Sequence, residues 1–515
     1  MSGKYLLTTL GCKVNQYESQ QLREILESFG LRHVKPGEAA DVAIVNTCAV
    51  TEAAISKNHQ TIRRAANGGR TAIVVVGCGA TADAQRLKAL DGVTAVWGHE
   101  SDVRSELGKL LAQRLVTSTP VSVNEISNDH AVVGRSSGAR RDEVRMKPVE
   151  FRHPGEASAG GHSFTSEEIV PVSLPVVKSD DTLIGRIESF HGHQRAFLKV
   201  QDGCDAFCTY CIIPQLRPTP RFKPIESAVE EARTLVLAEH KEIILTGIFL
   251  GAYGRRTAVR KRFTTRRSPL SALVKAIAEV DGLQRLRLSS LEPGDVDGSL
   301  LEVLTAYPCC VPHLHLPLQS GSERILRRMN RQYTRDAYLD MIERVRRAFD
   351  RPAISTDVIV GFPGETDDDF EASVEVARHA EFCKIHAFRF SARDGTAAAR
   401  WRSEFISPAV VRERMRRLAE VERECSLAYR RQLLRMTERV IVERSDDRSG
   451  DSGVAGIRHG RADRYIDVHF DSDGSIRTGD LVDVRIDRIT PTRTHGTYVS
   501  PCVGDYRLPV LAHSA

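Results

Sequence analysis

The chain has 515 residues, room for two to four domains, and its 41% hydrophobic and 27% charged residues suit a globular protein, excluding global disorder and collagen-like repeats. Lys and Arg number 73 against 67 acidic residues, a formal net charge of +6 that permits a nucleic-acid partner without demanding one. The longest apolar run, Ala72–Val76, falls far short of the roughly 20 residues of a membrane span, and the N-terminus carries no signal-like segment, so no membrane partner and a cytoplasmic location are expected.

The first 115 or so residues alternate short apolar runs with amphipathic stretches. Strands are expected at Tyr5–Thr9, Val42–Asn46, Ala72–Val76 and Val93–Trp97, and helices at about Gln16–Phe29, Glu52–Ala66, Ala82–Leu90 and Asp102–Gln113. Buried strands alternating with helices indicate an open parallel α/β sheet. From about Thr117 to Phe190 the chain is rich in Ser, Gly, His and charge with weak periodicity, and reads as a flexible linker or insertion, with a strand near Glu168–Val172.

The alternation resumes at Arg195. Strands are expected at Ala196–Val200, Glu242–Thr246, Leu286–Ser289, His313–Pro317, Ser355–Val360 and Lys384–Phe388, with helices between them. Six consecutive βα units suggest a barrel or partial barrel whose site lies at the strands' C-terminal ends. A long charged helix over Pro408–Arg435 follows, then strand-like runs at Arg439–Glu443, Tyr465–Phe470 and Leu481–Ile489 with Gly-rich turns, the pattern of a small all-β barrel. The expected domains are 1–116, the insertion 117–190, 191–435 and 436–502.

Eleven cysteines in a cytosolic chain argue against a disulfide framework, so their spacing matters more than their number. Cys12, Cys48 and Cys78 each follow one of three strands, at the sheet edge where open α/β folds bind ligands, so they can converge on a shared ligand; the alternative is that each is a small buried hydrophobe. Cys204, Cys208 and Cys211 form a C-x3-C-x2-C run on the loop after the first barrel strand. Thiolates suit zinc or iron–sulfur clusters, and no fourth Cys or His follows closely enough to complete a structural zinc site. Three ligands on a four-iron cluster leave one iron open. Cys309, Cys310, Cys383, Cys425 and Cys502 match no ligand spacing.

This cysteine run on the first loop of a βα barrel resembles the radical S-adenosylmethionine superfamily. The phrases Leu10-Gly-Cys12-Lys-Val-Asn15-Gln-Tyr-Glu18-Ser19, Asn46-Thr-Cys48, Gly77-Cys78, Leu288-Ser-Ser-Leu-Glu-Pro293, His315-Leu-Pro-Leu-Gln-Ser-Gly321 and Asp357-Val-Ile-Val-Gly-Phe-Pro-Gly-Glu365 narrow the likeness to its methylthiotransferases, over nearly the whole chain outside Thr117–Phe190. The C-terminal β segment resembles the TRAM domain, an RNA-binding barrel of that family. Lys13–Ser19 and Met329-Asn-Arg-Gln-Tyr-Thr334 are similar to the branch acting on threonylcarbamoyl-adenosine in tRNA.

The resemblance implies S-adenosylmethionine and two 4Fe–4S clusters as cofactors, one cluster on Cys204, Cys208 and Cys211 and the other on Cys12, Cys48 and Cys78. It implies a tRNA anticodon stem-loop as partner, with an electron donor such as flavodoxin and a sulfur source. Phe207, Tyr210, Thr246, Gly247, Ser289, Glu292 and Gly361 are candidate cofactor contacts, and Gln319, Arg217 and Arg221 candidate substrate contacts, each with scaffold packing as the alternative. Pro218 stands where the family pattern has glycine, and Phe249 where a polar residue is common. Arginines 324, 327, 328, 331 and 335 form a basic stretch suited to phosphates, or to a solvated face. Rival readings are methylthiolation of an isopentenyl-adenosine in tRNA or of a ribosomal protein, and a non-enzymatic RNA-binding protein with structural metal sites.

Overall fold

A computed structural model describes residues 3–66, 71–117, 185–262, 268–443, 456–472 and 474–502. Most of the expected insertion, including its strand near Glu168–Val172, lies outside the described residues. The chain divides into a large compact unit, 1–106 with 179–515, and a second unit, 107–178, of which the description covers only the end of one helix.

The N-terminal part of the large unit is a five-stranded parallel sheet. Its strands are β1 (Lys4–Thr9), β2 (Arg32–His33), β3 (Val42–Thr47), β4 (Ala72–Gly77) and β5 (Val93–Trp97), in the order β2-β1-β3-β4-β5. Every residue of β3 and β4 is buried, as central strands covered on both faces require. Helices span Lys13–Ser28 and Glu52–Ala66. The single helix expected over Ala82–Leu90 is instead two short ones, Cys78–Ala82 and Ala84–Lys88. Asp83 departs from helical geometry between them, at φ −146° and ψ 49°.

Six parallel strands form the partial barrel: β6 (Arg195–Asp202), β8 (Glu242–Gly247), β9 (Arg285–Leu288), β10 (His313–His315), β11 (Ala353–Val360) and β12 (Lys384–Arg389). A parallel bridge between Leu286 and Cys310 joins the two runs of three. The sequence pattern missed β7 (Arg221–Phe222), a two-residue strand antiparallel to β6 and too short to carry a period. Leu198, Leu245, Leu288, Leu314 and Val358 belong to one core beneath the surrounding helices. The alternating residues on these strands are largely polar.

A helix over Pro408–Arg431 leads to a closed five-stranded barrel, β13 (Thr437–Val442), β14 (Gly456–Ala462), β15 (Asp467–Ser472), β16 (Leu481–Ile489) and β17 (Thr494–Pro501). Strands β14 and β17 were not legible because Gly, His and Arg break their apolar alternation. The small barrel's core continues into Ala353 and Cys383 of the larger barrel. It also closes that barrel's floor. Arg285 donates to the Arg461 and Ala462 carbonyls at 3.0 Å each, Arg287 donates to the Asp463 carbonyl at 3.0 Å, and Glu242 accepts from Arg287 Nε at 2.7 Å. Among the described residues no helix is long and apolar enough to cross a membrane.

Candidate functional site

The first three cysteines meet because β1, β3 and β4 are neighbours in the sheet. Gly11, at φ +109°, brings the Cys12 loop so close that a Cβ there would lie 2.9 Å from the Cys48 Cβ. Asn15 pins the loop, donating to the Leu10 and Thr47 carbonyls at 2.8 and 3.0 Å. Asn58 brackets Cys48, donating to its carbonyl at 2.7 Å and accepting from its N–H at 3.3 Å. Cys78 opens a short helix after Gly77, whose φ of +88° no side chain would tolerate against Asn46. His99 Nε2 lies 3.4 Å from the Cys78 sulfur.

The second triad lies on the loop after β6. The Cys204 N–H donates to the Arg217 carbonyl at 2.9 Å, and the Cys211 N–H to the Cys208 carbonyl at 3.0 Å. Phe207 takes a left-handed conformation, φ +53°, and its ring is exposed; Asn330 Nδ2 holds its carbonyl at 3.0 Å. Arg331 donates from Nη1 to the Cys208 sulfur at 3.1 Å and to the Tyr210 hydroxyl at 3.3 Å, and ion-pairs with Glu292. Tyr210 packs edge-on to Phe362, and Phe249 packs with Ala206, Ala252 and Ala258 against Cys204 and Cys208. The two triads are adjacent. Ile212, Ile213 and Leu216, just past Cys211, pack against Ala49 and Cys78.

Burial pushes the Cys204 and Cys211 thiols up to about 12, reinforced by the neighbouring sulfurs, and burial pushes Cys78 up to about 11. Three thiols that repel one another as thiolates in a water-poor place are the donor set that a cationic iron–sulfur cluster stabilises. All six remain free thiols. Among the described residues no three His, Cys, Asp or Glu side chains are gathered closely enough to share a single metal ion, so no one-ion site is preformed. The residues present fit two clusters.

The other expected contacts lie in distinct settings. Thr246 and Gly247 end β8, where a Cβ on Gly247 would lie 2.9 Å from Gln201. Ser289 follows β9 with its Oγ buried and without a hydrogen-bond partner among the described residues. Gln319, at φ +63°, bridges to β11, and Gly361, at φ +78°, donates its N–H to Glu365 at 2.8 Å. Arg221 lines an open cavity with Glu18 and His99.

Arg217 has a different setting from the one expected. It is buried, with ion pairs to Glu18 and Asp202. The basic stretch is likewise committed to carboxylates. Arg324 pairs with Asp369, Arg327 with Glu323, Arg328 with Glu404 and Arg335 with Glu375. Sequence reasoning missed Arg331 as a neighbour of the cysteines; the only signal was its place in Met329-Asn-Arg331.

Residues 198–377 match the model of the radical SAM superfamily, and residues 4–98 match that of the "Uncharacterized protein family UPF0004". Fold and matched segment define the class: this is a radical S-adenosylmethionine enzyme. The threonylcarbamoyladenosine tRNA methylthiotransferase MtaB of Chlamydia pneumoniae is 32% identical over 95% of this chain and 96% of its own. A tRNA-2-methylthio-N(6)-dimethylallyladenosine synthase of Mycobacterium avium is 33% identical over 95% of this chain and 61% of its own. Among solved structures, the radical S-adenosylmethionine methyltransferase TsrM of Kitasatospora setae matches with a TM-score of 0.45 and 14% identity, over 76% of this chain and 75% of that one. The chain belongs to the radical S-adenosylmethionine methylthiotransferase family, whose cofactors are S-adenosylmethionine and 4Fe–4S clusters.

Proposed function

We propose that this enzyme methylthiolates N6-threonylcarbamoyladenosine beside the anticodon of tRNA, giving its 2-methylthio derivative. The observation that carries the reading is the adjacency of two cysteine triads on two parts of one fold, joined through the apolar cluster that Ile212 and Leu216 form with Ala49 and Cys78. The name of the Chlamydia relative supports the threonylcarbamoyl substrate.

In this reading Cys204, Cys208 and Cys211 hold the cluster that binds S-adenosylmethionine, and Cys12, Cys48 and Cys78 hold the second. Bound together, these groups supply a carbon radical, a sulfur atom and a methyl group. The protein's own residues position and shield. Arg331 neutralises charge at Cys208, and Glu292 fixes Arg331 in turn. Phe249 and three alanines exclude water from one side of Cys204 and Cys208, which matters because a primary carbon radical reacts with almost any nearby C–H bond. Phe207, Tyr210, Thr246, Gly247, Ser289, Glu292 and Gly361 would contact the cofactor, and Gln319 and Arg221 the substrate. Arg217 acts through Glu18 and Asp202 as a positioning residue. The small barrel binds the tRNA, an electron donor such as flavodoxin and a sulfur source complete the turnover, and the work is cytoplasmic.

The test is product mass on matched tRNAs carrying threonylcarbamoyl, isopentenyl or no group on the adenosine. The expected result is conversion of the threonylcarbamoyl form, with discrimination of up to roughly 10⁴-fold against substrates that leave the site's polar groups unpaired. Comparable turnover of the isopentenyl form, the substrate class named for the Mycobacterium avium relative, would overturn the substrate and leave the chemistry standing.

A further inference from the structure

The lumen of the larger barrel carries a polar array that the reaction above does not use. Successive residues on a strand face opposite ways. Leu314, Ile354, Val358 and Ile385 join the core beneath the helices, so His313, His315, Ser355, Asp357 and His386 turn inward. Register sets His315 beside Ser355 and Asp357 beside His386. Ser355 Oγ lies 3.0 Å from His313 Nε2 and 2.9 Å from His315 Nδ1, and His315 Nε2 lies 3.2 Å from Asp357 Oδ2. The His315 and His386 rings meet edge to face at 5.8 Å. Barrel interiors of this kind are ordinarily filled with branched apolar side chains. Here the side chains of His315 and Asp357 stay 14% and 24% exposed on strands of the barrel wall, so the array is open to water.

Lys13 adds a charge. It directly follows Cys12, and its ammonium is close enough to Tyr465, Arg287, Arg195, Glu242, His313 and His386 to interact with each electrostatically. The arginines nearby are committed, Arg287 to Glu242 and Arg195 to Glu443. Among the described residues Lys13 makes no hydrogen bond or ion pair through its ammonium, and Tyr465 and the Glu242 carboxylate, itself bound to Arg287, attract it only from beyond ion-pair distance. An unpaired cation beside open hydrogen-bonding groups is a site for a small anion that also bears a hydroxyl.

A threonine joined through its nitrogen keeps a free carboxylate and a hydroxyl. We propose that Lys13, His315, Asp357 and His386 form the subsite for the threonyl group of the substrate, its carboxylate on the Lys13 ammonium and its hydroxyl on the Asp357–His315 pair. This rests on the threonylcarbamoyl reading above and adds the residues that would enforce it. An isopentenyl group would leave the ammonium and the pair unsatisfied.

The test compares an anticodon stem-loop RNA bearing threonylcarbamoyladenosine with the same RNA whose threonyl carboxylate is methyl-esterified, by equilibrium binding to the iron-loaded enzyme. Wild type should bind the ester roughly 10- to 100-fold more weakly than the acid, the range for a hydrogen bond between charged groups. Lys13→Met should bind acid and ester alike, at the affinity of the ester. Equal binding by wild type, or a preference that survives in Lys13→Met, overturns the subsite. If Lys13→Met fails to take up iron, the acid-against-ester comparison on wild type decides alone. Exclusive turnover of isopentenyl RNA by an enzyme that still prefers the acid would sink the substrate reading, whereas threonylcarbamoyl turnover without acid preference sinks only the subsite.

Discussion

Arg217 grips Glu18 through two parallel hydrogen bonds, Nη1 to Oε1 and Nη2 to Oε2, both 2.8 Å long. Glu18 lies on the helix that starts at Lys13, after Cys12, and Arg217 caps the short helix that follows Cys211. The pair therefore ties the two cysteine loops together. Lys199 and Asp202 complete the network, with Lys199 donating to Glu18 at 2.8 Å and to Asp202 at 2.7 Å. Burial alone would raise the Glu18 carboxyl, but the Arg217 and Lys199 charges outweigh it and hold it well below the usual carboxylate range.

Breaking this pair should be costly. Arg217→Met strands Glu18 and Asp202 with a single cation, and removal of one partner of a buried ion pair costs about 3–5 kcal/mol. The expected outcome is a lowered thermal midpoint. Arg217→Lys should recover only part of the loss, because an ammonium cannot reproduce the planar fork. Full recovery by lysine would show that charge alone suffices.

The floor of the larger barrel should give the protein a distinctive acid response. Burial acts to raise the Glu242 carboxyl, but Arg285 and Arg287 outweigh it and hold it at about 2. A carboxyl depressed from its unfolded value near 4.3 contributes stability that is complete above that value and is lost as pH falls towards about 2. Glu242→Gln should thus be less stable than wild type at pH 6, with the gap narrowing between about pH 4.3 and 2. Urea midpoints across that range are the measurement, and a gap independent of pH would contradict the account.

The two triads should be separable by iron content. Reconstituted protein should hold about eight irons as two four-iron clusters, and alanine at Cys12, Cys48 or Cys78 should leave about four. Formation of 5′-deoxyadenosine from S-adenosylmethionine should persist in those variants and vanish with alanine at Cys204, Cys208 or Cys211. Loss of cleavage in the first set, with four irons still bound, would refute the division of roles.

RNA binding by the small barrel is best probed on its surface. Removing everything after Met436 would uncover Arg285 and Arg287 and open the shared core at Ala353 and Cys383, so that deletion confounds binding with folding. Strand register instead aligns His459, His469 and His495 side by side, with ring centroids 5.8 Å apart across each step, and sets Arg488 beside His495. Serine at the three histidines together with Arg488→Ser should weaken tRNA binding and flatten its salt dependence by about one unit of slope per lost phosphate contact. Iron content should not change. An unaltered salt slope would place the tRNA elsewhere.

The alternation of strands and helices and the places of the six cysteines after strands are legible in the amino-acid order, because both are local: a strand's apolar run and the residue that follows it are neighbours in the chain. That order carries the family likeness for the same reason. Which charges are spent and which remain available emerges only on folding. Arg217 reads as a substrate contact and Arg331 as part of a basic stretch, yet one is locked to Glu18 and Asp202 and the other sits between Glu292 and Cys208. Lys13 reads only as part of the Lys13–Ser19 likeness, ahead of the expected helix, yet it opens that helix and brings its ammonium to His313 and His386 of the barrel lumen. Strands β14 and β17 emerge only when closure of the small barrel pairs their Gly- and His-rich segments with neighbours. A charge's role is set by what lies within a few ångströms of it, and those neighbours come from segments up to some two hundred residues away in the chain.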